Sequence, residues 1–205
     1  MDRGYFISIE GPDGAGKSTQ IKNIIKYFSE KSIDIVFTRE PGGTDIGEKI
    51  REIILDKENV AMCDMTEALL YAASRAQHVH EKIRPNLDKG RIVLCDRYVD
   101  SSIAYQGYGR ELGEPVKVIN DYAIAGLKPD VTILLLLNPE EGRGRISNTE
   151  KDRLEIEKAD FHQRVYDGYI EISKKESNRF HMVDASKDIE SVKNDIYKIL
   201  DKIEL

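Results

Sequence analysis

Cysteine is scarce in this chain of 205 residues, which carries two, Cys63 and Cys95. They lie far apart and form no C-x-x-C pair, so nothing points to a disulfide framework. Cys95 closes an apolar run, where a thiol serves as a small buried hydrophobe. Long hydrophobic runs are missing as well. The longest, Ile133 to Leu137, is far too short to span a bilayer, which takes about 20 residues as a helix. Met1-Asp2-Arg3-Gly4 leads straight into an apolar segment with no signal stretch, so the expected location is the reduced cytoplasm. An excess of positive charge is absent: Lys plus Arg number 31 against 37 Asp plus Glu, a net charge of −6. That argues against a nucleic-acid partner, which calls for a basic surface. A polyphosphate ligand must then be held by a local cluster of cations, not by the overall field. There are no internal repeats and no low-complexity tract. The length suits one α/β domain, residues 1–205, able to bury about 70% of its extended-chain surface.

The octet Gly11-Pro12-Asp13-Gly14-Ala15-Gly16-Lys17-Ser18 fits G-x-x-x-x-G-K-[ST], the phosphate-binding loop. Its setting fits too. Tyr5 to Ile9 reads as a buried strand, and a helical pattern begins at once after the loop. Such a unit turns backbone N–H groups toward a polyphosphate at a helix N-terminus. Lys17 is placed to reach the outer phosphates, and the Ser18 hydroxyl, next to Thr19, to bind Mg²⁺.

The rest of the chain alternates. Ile21, Ile24, Ile25 and Phe28 share a face of a helix over 17–30. Ile33 to Thr38 reads as a strand, 45–56 as a helix and 65–88 as one long helix. Arg91 to Cys95 is a third strand, 114–125 a helix, and Val131 to Leu137 a central strand covered on both faces. Helix is expected from 139 and again over 153–176, then a short strand Phe180 to Val183 and a closing helix from Ile189. The expected fold is therefore α/β: a five-stranded, mainly parallel sheet flanked by helices, with right-handed crossovers. The weakly ordered candidate is Arg143 to Asp152, polar and poor in apolar anchors.

The loop alone gives nucleotide binding; three further constellations narrow it. Thr38-Arg39-Glu40-Pro41-Gly42-Gly43-Thr44 follows the second strand, at the sheet edge where ligands of open α/β folds bind. In Tyr71-Ala72-Ala73-Ser74-Arg75 the ring and the guanidinium are four residues apart on one helix face. Such a pair can stack on a planar base and donate to its carbonyl edge. Asp96-Arg97-Tyr98 ends the third strand, where a P-loop enzyme places the carboxylate of its metal shell. A guanine-reading N-K-x-D motif is missing, which removes the GTPase reading.

Together the loop with its Ser-Thr-Gln extension, T-R-E-P-G-G-T, Y-A-A-S-R, D-R-Y-V-D-S-S-I-A-Y-Q-G and the later D-R-L-E resemble thymidylate kinase, from Phe6 to about Tyr169. The resemblance implies a nucleoside monophosphate kinase fold and transfer from ATP-Mg²⁺ to dTMP, a step toward dTTP. It implies that Lys17 and the loop hold the ATP phosphates. Ser18 and Asp96 then serve Mg²⁺, directly or through water. Asp13 approaches the dTMP sugar, Tyr71 stacks on thymine and Arg75 reads it. Arg51 and Arg97 grip the monophosphate, Ser101, Ser102 and Gln106 line the base pocket, and Glu40 lies near sugar and phosphate. Some family members carry an arginine within the loop; here Gly14 stands there, leaving Lys17 the loop's one cation. This resembles the bacterial arrangement, in which a lid, here 142–153, supplies the catalytic arginine. Arg143 and Arg153 are the first candidates, with Arg145 and Lys151 beside them. The family also implies a homodimer, through 65–88 or 114–125.

Two alternatives stay open: a kinase acting on UMP, dUMP, CMP or AMP, and a nucleotide-binding module without transfer chemistry. Arg75 is donor-only, which suits a carbonyl and opposes the amine of adenine or cytosine. Uracil differs by a methyl and is the hardest to exclude.

Overall fold

The computed structural model describes residues 3–146 and 153–203. Five strands form one wholly parallel sheet in the order β2-β3-β1-β4-β5. They are β1 (Phe6–Glu10), β2 (Ile35–Arg39), β3 (Ile92–Asp96), β4 (Val131–Leu136) and β5 (Phe180–Asp184). In register, Ile9 lies opposite Asp96 on one side and Ile133 on the other. The C-terminal ends of β1 and β3 therefore meet, which brings the phosphate loop beside Asp96-Arg97.

Alternation along β1 sends its side chains to two different layers. Ile7 and Ile9 pack under α1 (Lys17–Glu30) and α9 (Ile189–Leu200), with Ile24, Phe28, Ile133, Leu135, Val192 and Ile196. Phe6 faces the other layer, where Val93, Ile83, Leu87, Tyr98 and Ile124 close around it. That layer holds α3 (Asp64–His78), α4 (Arg84–Leu87), α5 (Val99–Ser102), α6 (Glu114–Ile124) and α8 (Ala159–Lys175). A polar seam runs through it. Ser8 and Thr132 share a hydrogen bond of 2.9 Å, and the buried Arg179 forks onto Asp100 at 2.7 and 2.8 Å.

Local chemistry sets the ends of the remaining helices. Thr44 caps α2 (Asp45–Leu55) by accepting from Gly47 N at 3.0 Å, with Asp45 and Glu48 in the first turn. α7 (Pro139–Ile146) starts at a proline and packs onto the phosphate loop.

Two expectations need correction, and one helical stretch went unread. The stretch 65–88 is not one α-helix: a π-helical turn, Val79–Ile83, separates α3 from α4. Residues 153–158 are turns, so the helix expected over 153–176 starts at Ala159; Leu154 and Arg153 in that stretch are buried, not part of a solvated helix face. A helical stretch after β3, Val99–Ser102 followed by a π-helical Ile103–Gly109, has too little period for the sequence to have shown it in full.

Candidate active site

One cleft of about 880 Å³ lies along the C-terminal edge of the sheet. Its floor is the phosphate loop, with Asp13 to Thr19 in its wall. One end is closed by Ala185 to Ile189, from the loop after β5, and by Arg145 of α7. The other end is lined by Glu40, Pro41, Arg51, Tyr71, Arg75, Arg97, Ser101, Ser102 and Gln106, together with Arg39, Leu55 and Tyr105. The sequence-predicted loop and pocket residues thus converge on a single space. Gly11 and Pro12 lie just beneath it: Lys17 Nζ donates to both of their carbonyls at 3.0 Å. Burial and the nearby Arg97 lower the Lys17 ammonium to about 8.

Gly14 has φ +80°, and a Cβ there would stand 2.4 Å from the Gly142 carbonyl oxygen of α7. A Cβ on Gly142 would in turn stand 2.7 Å from Asp13 O. Loop and helix touch backbone to backbone. An arginine at position 14 has no room in this packing.

Arg97 is the centre of the cleft. Its backbone is left-handed, φ +64°, and its N–H groups reach five oxygens. Nη1 donates to Gly11 O at 3.0 Å and to the Ser101 and Tyr169 hydroxyls at 3.2 Å each. Nη2 donates to Asp13 and to Tyr105 OH. Burial alone would raise the Asp13 carboxyl, but Arg97 and Lys17 outweigh it and hold Asp13 at about 2. A charged carboxylate between two cations fits a site that must bring anions close without letting them repel.

Arg75 is almost wholly buried. Nε donates to Glu40 at 2.7 Å, Nη1 to Ser102 at 2.9 Å and to Asn120, and Nη2 to Tyr98 O at 3.0 Å. Four of its five N–H groups are thus engaged among the described residues, and one on Nη2 is left for a ligand. Glu40 is braced from behind by His78, whose Nδ1 lies 2.9 Å from it and whose Nε2 lies 2.6 Å from Thr38 Oγ1. Glu40, His78 and Cys95 present ligand atoms within 4.8 Å of one another. Each already has a hydrogen-bond partner, and burial raises the Cys95 thiol well above its usual range, so the cluster serves as a brace.

Asp96 Oδ1 is buried with no hydrogen-bond partner among the described residues. It opens on the same cleft as Ser18. A hard carboxylate oxygen left unpaired, on a residue that lines the same cleft as a hydroxyl, suits a hard divalent cation.

The arginines of the expected lid segment part company. Arg145 stands in the cleft wall and donates to Ala185 O at 3.0 Å. Arg143 is exposed on α7. Arg153 is turned away onto Ile54 O, at 3.0 Å, and onto the buried Glu67. Glu67 also accepts from Gln106 at 2.9 Å and from Arg110 at 3.0 Å. Lys151 lies outside the described residues.

Sequence reasoning passed over Glu10, Glu67, Tyr105, His78 and Tyr169. Tyr105 sat inside the quoted D-R-Y-V-D-S-S-I-A-Y-Q-G segment and Glu10 next to the octet, so position was the available signal. Glu67, His78 and Tyr169 carried none, because their partners lie 38 to 159 residues away and meet them only through the fold.

A parallel sheet of this order, with a phosphate loop after β1 and an arginine-rich pocket facing it across one cleft, defines a P-loop nucleoside monophosphate kinase. Residues 9–196 match the thymidylate kinase family model. The chain is 51% identical to a thymidylate kinase of Lactobacillus helveticus, over 98% of this chain and 97% of that one. It is 48% identical to one of Clostridium novyi, over 94% and 96%. Among solved structures, a thymidylate kinase from Ehrlichia chaffeensis is similar at 33% identity and a TM-score of 0.79, covering 97% of this chain and 99% of that one. The chain belongs to the thymidylate kinase family.

Proposed function

We infer that this enzyme transfers the γ-phosphoryl group of ATP to dTMP, giving dTDP on the way to dTTP. One observation carries the reading. The phosphate loop and the arginine-rich pocket share one cleft, with the Asp13–Arg97 pair between them. Phosphoryl transfer is catalysed mainly by positioning and by neutralising charge on the moving group, and this cleft supplies both.

On this reading Gly11 to Thr19 cradle the ATP phosphates and Lys17 offsets their charge. Ser18 and Asp96 are the residues that hold Mg²⁺, directly or through water. When bound, the metal neutralises charge on the outer phosphates of ATP. Arg51 and Arg97 hold the acceptor phosphate, while Asp13 and Glu40 lie toward its sugar. Tyr71 stacks on the base, Ser101, Ser102 and Gln106 line its edge, and the remaining N–H of Arg75 donates to a base carbonyl. The candidate lid is the segment 142–153, of which 147–152 lie outside the described residues, and its arginines Arg143, Arg145 and Arg153 are the candidates for a further cation; of these, Arg145 already lines the cleft. Methionine at each of the three in turn identifies it: kcat falls by orders of magnitude at that position while dTMP affinity stays nearly intact.

We further propose a homodimer, through α3 and α6, on which Leu69, Val118 and Tyr122 are exposed apolar residues. No helix among the described residues is long and apolar enough to cross a membrane, which fits a cytoplasmic location.

A coupled assay of ADP release tests the central reading, with ATP and each of dTMP, dUMP, UMP, CMP and AMP. Release with dTMP far above the others is expected; release with another acceptor above dTMP, or with none, refutes it.

A further inference from the structure

Glu10 is the last residue of β1, immediately before the phosphate loop, and it is fully buried. Its Oε1 accepts from Tyr98 N at 2.7 Å. Its Oε2 accepts from Ser101 Oγ at 2.6 Å and from Tyr169 OH at 3.0 Å. Those same two hydroxyls face Arg97 Nη1 at 3.2 Å each. The chemistry of this chain of contacts is constrained. A carboxylate can only accept and a guanidinium can only donate. A hydroxyl has one proton and two lone pairs, so toward Arg97 it offers a lone pair, and its proton goes to Glu10 or to the other hydroxyl, which lies 3.0 Å away and passes its own proton to Glu10.

We propose that Glu10 is a positioning residue, whose carboxylate fixes the polarity of the Ser101 and Tyr169 hydroxyls so that both accept from Arg97 and hold its guanidinium ready for the acceptor phosphate. The proposal rests on Arg97 being the ligand of that phosphate. The left-handed backbone of Arg97 adds the reason for such care. A non-glycine residue at φ +64° persists only where its surroundings over-determine it, and two of its five side-chain contacts run through Glu10. Oε1 is fixed by the Tyr98 N–H, so the carboxylate cannot turn to release the pair.

Three variants test it: Glu10→Gln, Tyr169→Phe and their double mutant, with Arg97→Met as reference. An amide at position 10 must set its NH₂ either against the Tyr98 N–H or against the hydroxyls, which it would reverse. Steady-state kinetics are measured at about pH 8.5, above the range in which Glu10 holds its proton, with dTMP varied at saturating ATP, then with ATP varied at saturating dTMP. The KM for dTMP is expected to rise about tenfold in Glu10→Gln, the scale of one hydrogen bond to a charged group. Tyr169→Phe should raise it less and add little in the double mutant, because both act on one relay. The KM for ATP should change less than that for dTMP, since Ser101 and Tyr169 bond to no loop residue and Glu10 reaches Lys17 through its charge alone. Equal changes in both KM values, or effects that multiply in full, overturn the proposal; they describe general damage or independent contacts. If Glu10→Gln does not fold, Tyr169→Phe and Ser101→Ala decide, and an unchanged dTMP KM in both overturns it. A normal dTMP KM in Arg97→Met removes the premise instead, and with it the assignment of Arg97.

Discussion

Replacing Gly142 by alanine adds one methyl group where α7 meets the phosphate loop. The new Cβ would lie 2.7 Å from Asp13 O and 3.7 Å from Leu137 Cδ2. A relaxed carbon–oxygen contact is about 3.3 Å. Helix and loop must therefore separate by roughly 0.6 Å, and no flexible side-chain end is there to absorb the shift, because the atom met is backbone. Misplacing catalytic groups by about 1 Å can cost around a hundredfold in rate, so a loss near tenfold in kcat is expected. Stability should hardly move. Gly142 lies inside α7, where alanine favours the helix by about 1 kcal/mol, and this offsets part of the steric cost. The assay pairs kcat at saturating ATP and dTMP with thermal unfolding. A tenfold lower kcat with an unchanged melting temperature is the expected signature. Full kcat would show that the loop and α7 need no close approach. A lower kcat matched by a large fall in Tm would show ordinary destabilisation, and either result refutes the reasoning.

Other expectations follow from the same geometry. Arg75→Lys strips partners from Glu40, Ser102 and Asn120, so urea unfolding should show a loss on the order of 3 kcal/mol, and the dTMP KM should rise with it. Asp96→Asn should raise the Mg²⁺ concentration needed for half-maximal rate by about tenfold or more, read by titrating Mg²⁺ at fixed ATP. Glu10 sets a pH dependence of stability. Burial first, then the charge of Asp100 on α5, raise its carboxyl from 4.5 to about 7, against the lowering effects of Ser101, Arg97 and the Tyr98 N–H. Lys17 on α1 and Tyr169 on α8 also face it. The native state then holds one more proton than the unfolded chain between those values. The stability this contributes is full below about 4.5 and is lost as pH rises through about 7. Denaturant unfolding across that range should show the decline in the wild type and lose this component in Glu10→Gln.

Much of the fold was legible because it rests on local signals. Alternating apolar strands and helical periods gave five strands, and the octet marked the loop that forms the floor of the cleft. The cleft residues were legible for a different reason: they cluster in short segments at strand ends, so Glu40, Asp96 and Arg97 announce themselves by position. What stayed hidden depends on distance. Ser8 and Glu10 look like polar interruptions of an apolar strand until β4 brings the Thr132 hydroxyl to Ser8, and α5 and α8 bring Ser101 and Tyr169 to Glu10. The same holds for Arg153. In the sequence it is one of several cations near a polar stretch; in the fold its guanidinium is turned onto Glu67 and Ile54 O. The π-helical stretch after Ser102 broke the 3.6-residue period that would have marked it, and composition alone did not show the π-helical turn after His78.

The Glu67 carboxylate carries a consequence for the order in which the chain can mature. It binds Gln106 and Arg110 directly, takes Arg153 from far downstream, and through Arg110 meets Glu157 at 2.5 Å. During synthesis the first 110 residues supply a buried acid with only one of its two guanidiniums. The base pocket therefore cannot settle when its own residues emerge. It waits for a segment made some 40 residues later, and for β4 to take its place beside β1. Donor loop and α1 are built from neighbours and can form early; the acceptor side is finished late, by contacts that close only when nearly three quarters of the chain has left the ribosome.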